Sequence, residues 1–271
     1  MNTRWKTTIK PSRFWVWLLI ALGVLYFFLP LICTLYFSLS SLRGGLSLAA
    51  YENVFSDPRF FETFLFSLEM ALLTIVVSLV LIVPTVYWCH MRVPRLRPVI
   101  EFITLLPLMV PAIVLVFGLI AIYSRPPLVL TGSAASLNVL LVAGYVVLAM
   151  PFMYWAVDNG LRSIDARTLT EAAQSLGASL PTILVRVVVP NIRVAILSGV
   201  FLTLAVVIGE LTLAQYLARP AFGPYMALVG HEKAYEPAAL AIISFALTWT
   251  LIGAILLLSH APKLTQIGST K

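Results

Sequence analysis

Six apolar runs, each long enough to cross the hydrocarbon core of a bilayer, constrain this chain more than any other feature. They lie at about Phe14–Leu35, Phe64–Val86, Val99–Ile122, Leu137–Val157, Val194–Tyr216 and Ala238–Leu258. Lipid offers the backbone no hydrogen-bond partner, so each run must satisfy its own N–H and C=O groups by forming a helix. The expected fold class is an all-α membrane protein with six transmembrane helices. With 61% of residues hydrophobic and 11% charged, an ordinary soluble domain is excluded. The first run exceeds a signal-peptide core and lacks a small-residue cleavage site, so it is expected to remain as a helix.

An even number of spans puts both termini on one side, and the basic residues choose which. With the N-terminus inside, the inner segments carry 13 Lys and Arg and the outer loops carry 5. Basic residues favour the cytoplasmic side, so both termini are expected there. The expected organisation is a tail at 1–13, a first helix with its outer loop at 14–62, and a five-helix core at 63–262. That core includes a cytoplasmic loop at 158–193, and a second tail follows at 263–271. The net charge of +7 is spread over short loops, which points to membrane orientation and to no nucleic-acid partner. Pro30, Pro84, Pro107, Pro111 and Pro151 fall inside the runs, and each favours a kink. Cys33 and Cys89 lie in or beside spans, so no disulfide is expected.

The polar stretch Glu171–Pro190, EAAQSLGASLPTILVRVVVP, stands apart from this apolar background. Thr168 followed by Glu171 has capping-box spacing and predicts a helix start there. Leu169, Ala172, Ala173 and Leu176 share one face of that helix, and two alanines make the face shallow. Gly177 falls where the helix must end on a positive φ. Ser179 is placed to cap a second helix, with Pro181 in its first turn. Pro190 is expected to break that helix before the fifth run.

The spacing Glu171-Ala172-Ala173, Gly177, Val187, Val189-Pro190 resembles the EAA loop of bacterial ABC-importer permeases. Pro151-Phe152 and Leu161-Arg162-Ser163-Ile164-Asp165 are similar to the run leading into that loop. The likeness extends from the second run to the sixth. It departs mildly at Val187 and Val189, where the family prefers Ile and Leu. It implies a six-helix type I ABC importer permease fold in a bacterial inner membrane. Leu169, Glu171, Ala172, Ala173, Leu176, Gly177 and Ser179 would then form the surface that couples to an ATPase. The implied partners are an ABC ATPase dimer, a second permease subunit (a different chain or a copy of this one) and an extracytoplasmic substrate-binding protein. ATP and Mg would sit on the ATPase, and this chain itself would be no enzyme and hold no cofactor. None of its five lysines follows a glycine, which excludes a P-loop. Within the family the chain is most similar to the spermidine/putrescine group, which implies a polyamine. A phosphonate, ferric iron or another small solute is the alternative.

Glu69 and Glu210 are the acidic residues expected inside spans, each about 9 Å from an outer end at 1.5 Å per residue. An ionisable group at that depth needs a partner or water, so both are candidates for the substrate path. A bundle-shaping hydrogen bond is the competing reading. Gly177-Ala178-Ser179 with His260 also resembles the serine and histidine of six-span rhomboid proteases. That reading is disfavoured, because Ser179 lies in a polar loop and has a role as a helix cap. A passive channel would need a filter motif that the sequence lacks. The histidines are too far apart for metal-ligand spacing, so no metal site is expected.

Overall fold

The computed structural model describes residues 13–40 and 45–259. Most of the expected N-terminal tail, Arg43, His260 and the tail at 263–271 lie outside the described residues. The elements run α1 (Arg13–Ser38), α2 (Ala49–Ser56), α3 (Pro58–Met91), α4 (Arg97–Met109), α5 (Ala112–Tyr123) and α6 (Ala134–Arg162). They continue as α7 (Ala166–Ser175), α8 (Leu180–Thr182), α9 (Val189–Asn191), α10 (Arg193–Ile208), α11 (Thr212–Tyr216), α12 (Phe222–Glu232) and α13 (Glu236–Ser259). A π-helical stretch, Ile183–Val188, joins α8 to α9.

Among the described residues four helices, α1, α3, α6 and α13, are each long and apolar enough to cross a membrane. Two bent pairs bring the number up to six. The third run, expected as one kinked helix, is broken by 100° between α4 and α5. Val110 there is extended at φ −90°, ψ 119°, as a residue before proline prefers. Pro30, Pro84, Pro107 and Pro151 stay inside their helices, so of the five prolines only Pro111 marks a sharp break.

The fifth run also differs from expectation. Pro190 does not end its helix but sits in the short α9, and the chain bends by 84° at Ile192 before α10. The Asn191 side chain donates to the Val187 carbonyl at 2.7 Å, supplying a donor in the turn that holds Pro190. At the far end α10 stops at Ile208, and Gly209–Leu211 separate it from α11.

The second helix starts six residues earlier than its apolar run. Asp57 caps α3, its carboxylate accepting the Arg59 N–H at 3.0 Å, with Pro58 in the first turn. The Arg59 guanidinium also pairs with Asp57 and holds that carboxyl below the usual carboxylate range. At 34 residues, α3 is about 50 Å long and overshoots a 30 Å hydrocarbon core.

Packing divides into two apolar cores stacked along α3, α6 and α10. One gathers Phe60, Phe64, Met70, Tyr145, Leu213 and Phe222. The other gathers Val83, Tyr87, Met153, Val157, Leu161 and Ile183. Between them on α3 lies Ser78, fully buried, whose hydroxyl has no partner among the described residues. Close approach of α6 and α10 depends on glycine. A Cβ at Gly160 would lie 2.7 Å from the Ala195 Cβ, and one at Gly199 would lie 3.0 Å from that of Ala156. Small residues of this kind let helices pack tightly in lipid. By contrast, α1 is exposed along nearly its whole length and reaches the body through contacts with α13.

Candidate functional site

The hairpin from Ala166 to Asn191 is the polar end of the molecule, and its geometry is set by local chemistry. Asp165, not Thr168, caps α7, accepting the Thr168 N–H at 3.1 Å and its hydroxyl at 2.7 Å. These bonds hold the Asp165 carboxyl below its ordinary range. The capping box expected from Thr168 and Glu171 therefore does not form. Glu171 instead pairs with Arg167 at 2.9 Å, one turn back on the exposed side. The helix starts earlier because Ala166 is buried against the adjacent core, which extends the helical register to it.

Thr170 fixes α7 to α3. Its hydroxyl donates to the Ala166 carbonyl at 2.6 Å, and that spends its one hydrogen. Tyr87 must therefore donate to the Thr170 oxygen, at 3.0 Å in a buried position. Beside this bond is a cleft of about 650 Å³ between Trp88 and Arg92 of the α3 end and Arg167, Glu171 and Gln174 of α7.

The four-residue apolar face splits in two. Leu176 is 88% exposed and Ala172 is exposed, so these two project from the molecule. Leu169 is half-buried, and Ala173 leans on the neighbouring core. Gly177 has φ +79°, as its position demanded. The Gly177 N–H donates to the Gln174 carbonyl at 2.9 Å and the Ala178 N–H to that of Ala173 at 3.0 Å, a complete Schellman motif. Ser179 stands at the start of α8 as expected, and its carbonyl accepts the Ile183 N–H at 2.9 Å. Its hydroxyl is shared with Thr182 at 2.9 Å rather than capping a backbone N–H. The result is a hairpin whose turn is closed by backbone bonds and whose tip exposes Leu176. Among the described residues no group of His, Cys, Asp and Glu is arranged to hold a metal ion.

One feature was missed from sequence. Asp158 continues α6 past the expected span end, and its side chain is 4% exposed. One histidine and two arginines, from three helices, converge on it: His90 of α3 at 2.7 Å, Arg97 of α4 at 2.9 Å and Arg162 of α6 at 2.7 Å. The Asp158–Arg162 spacing of i, i+4 was the one local signal.

The two candidate path residues lie near one depth but in different settings. Glu210 occupies the break between α10 and α11. Its carboxylate accepts the Leu213 N–H at 2.9 Å and the Ala214 N–H at 3.4 Å, so it caps α11. The Phe222 N–H donates to the Ser67 hydroxyl at 2.8 Å, and Gly223 packs on the Glu210 carbonyl. That places Glu210 level with Ser67 of α3, two residues from Glu69. Glu69 is exposed and makes no hydrogen bond or ion pair among the described residues. It lies about 16 Å from the start of α3 rather than 9 Å, because the helix begins at Pro58.

Comparisons with known proteins bear on this geometry. The family described as the binding-protein-dependent transport system inner membrane component matches residues 82–266. The spermidine/putrescine transport system permease protein PotB of Escherichia coli is 25% identical over 169 residues, 56% of this chain and 59% of that protein. The match thus spans less than two thirds of that relative. A probable molybdenum ABC transporter permease protein of Haloferax volcanii is 34% identical over 206 residues, 72% of each chain. A chain of a bacterial ABC transporter involved in the import of the acidic polysaccharide alginate shares the fold. Its TM-score is 0.69, at 14% identity, over 90% of this chain and 95% of that one. The chain therefore belongs to the family of inner membrane components of binding-protein-dependent transport systems.

Proposed function

We propose that this chain is a permease subunit of an ATP-driven importer and that the α7–α8 hairpin docks on an ABC ATPase. The supporting observation is the exposed pair Leu176 and Ala172, held at the tip of a hairpin locked by the Schellman turn. Leu169, Glu171, Ala173, Gly177 and Ser179 shape or flank that surface. The ATPase dimer carries the ATP and Mg, a second permease subunit completes the path, and a substrate-binding protein delivers the solute from outside. Reconstitution with these partners tests the reading. Spermidine uptake that needs both ATP and the binding protein supports it, and uptake without the ATPase makes the chain a channel instead.

The hairpin is cytoplasmic in this reading, as are both termini. In a background lacking Cys33 and Cys89, Ser56→Cys is expected to react with a membrane-impermeant thiol reagent added outside intact cells. Gln174→Cys is expected to react only once the membrane is opened. Both positions are exposed. The reverse pattern would overturn the orientation and the docking with it.

The proposed substrate is a polyamine, supported by the likeness to the spermidine/putrescine permease and by two carboxylates near one depth. Glu69 is the carboxylate open to a passing cation, and Glu210 shapes the turn beside it. Glu69→Gln is expected to cut spermidine uptake about tenfold at unchanged membrane abundance, the loss of one interaction worth roughly 1.4 kcal/mol. Glu210→Gln keeps an acceptor for the α11 N–H groups and removes the charge, so a smaller fall is expected. The second reading is an oxyanion, favoured by the relative from Haloferax volcanii. Molybdate uptake that is indifferent to both substitutions would select it.

A further inference from the structure

We infer that Asp158 is a positioning residue for transport. With His90, Arg97 and Arg162 it welds the ends of α3, α4 and α6 near α7 into one lever, through which displacement of α7 reaches the broken third span. The inference rests on the permease reading and extends it to residues outside the docking surface.

Two of the three arms of the cluster lead to α7. His90 lies one turn from Tyr87, which donates to Thr170 of α7 at 3.0 Å. Arg162 lies three residues before Asp165, the cap of α7. The third arm, Arg97, is the first residue of α4, where the bent pair begins. Its guanidinium takes both Asp158 oxygens through one nitrogen, at 3.1 and 2.9 Å. Its Nε is buried without a partner among the described residues.

The rest of the packing favours a division at this level. Val83, Tyr87, Val157 and Leu161 belong to the core that α7 leans on, and Phe64, Val116 and Leu213 belong to the other. Beyond the 100° bend, α5 is held by α11, where the Phe117 and Tyr216 ring centroids are 5.0 Å apart. A push on α7 can therefore reach α4 through the adjoining ends of α3 and α6, while α5, beyond the bend, is also held by α11. A buried carboxylate is retained here because it holds three helices at once. One hydrophobic substitute would keep the volume and lose the two long-range ties.

The test uses the full assembly reconstituted in liposomes. In a background lacking Cys33 and Cys89, spin labels at Ile103→Cys of α4 and Gln174→Cys of α7, both exposed positions, report the lever without any substrate. In the otherwise native protein the label distance is expected to stay the same when the ATPase is trapped with ATP and vanadate. In Asp158→Asn it is expected to shift and broaden. The same variant should keep ATP hydrolysis stimulated by the binding protein while spermidine carried per ATP falls about tenfold, within the usual range of coupling between sites. Arg97→Gln should reproduce the loss, and the double variant should be no worse than either alone, as expected for one interacting unit. Asp158→Glu should restore part of it. A label distance that changes in the native protein would overturn the lever. Hydrolysis and transport falling together with complex abundance would do so too, by making Asp158 a residue of the fold alone. Failure of the permease reading looks different, since the native assembly would then show no ATP-dependent uptake while the label distances still decide the lever.

Discussion

Leu176→Lys is expected to abolish uptake while the chain still folds and reaches the membrane. Leu176 is 88% exposed, so its replacement removes no packing from the subunit itself. It is also the C-cap of α7, where a cation suits the helix dipole, so the helix should not weaken. What changes is the partner's view: a charge replaces the apolar knob at the tip. A central contact of this kind carries at least about 2 kcal/mol, roughly 30-fold in affinity. Ala172→Asp should act in the same way, since Ala172 is exposed on the same tip. Ala173 is a poorer probe, because it leans on the adjacent core and would report folding as well as docking. The measurement is co-purification of the ATPase with the tagged variant, alongside uptake. A variant that still holds the ATPase at native stoichiometry and transports normally would remove the docking surface from Leu176.

Gly177→Val is expected to be nearly as damaging, by a different route. A Cβ at Gly177 would meet nothing within 4 Å, so steric collision plays no part. The cost comes from φ +79°, where an L-residue is strained by about 1–2 kcal/mol and a β-branched one by more. The strain is relieved by unwinding the Schellman turn, which swings Leu176 away from its set position. A graded series separates this from bulk. Gly177→Asn, which tolerates the left-handed region, should keep most uptake, Gly177→Ala should lose part, and Gly177→Val should fall to background. Equal loss in all three would mean that the partner needs the bare backbone there, not the turn.

Much of this was legible in the chain because it depends on local chemistry. The runs that became α1, α3, α6 and α13 exceed the length of a hydrocarbon core, and lipid leaves them no other conformation. Gly177 was legible because few residues other than glycine take its φ at little cost. What was not legible depends on partners distant in sequence. Pro107 and Pro111 read alike, yet one stays helical and the other marks a 100° break, beyond which α5 packs on α11. Asp165 and Thr168 are both good caps, and burial of Ala166 chose between them. Asp158 was read as the first residue of a loop because His90 and Arg97 are more than 60 positions away. Glu210 was read as lying within a helix, because nothing nearby announced that its carboxylate would cap the next one.

The bend between α4 and α5 bears on how the chain enters the membrane. At 13 and 12 residues the two helices are about 20 and 18 Å long, and neither alone spans a 30 Å core. An insertion machinery that sorts nascent segments by summed apolarity must therefore take both as one straight segment. The bend belongs to a later stage, when neighbouring helices have arrived in the bilayer and side chains such as Phe117 and Tyr216 can meet. Part of what holds the bent form, the contact of α5 with α11, thus comes from a segment almost 90 residues downstream.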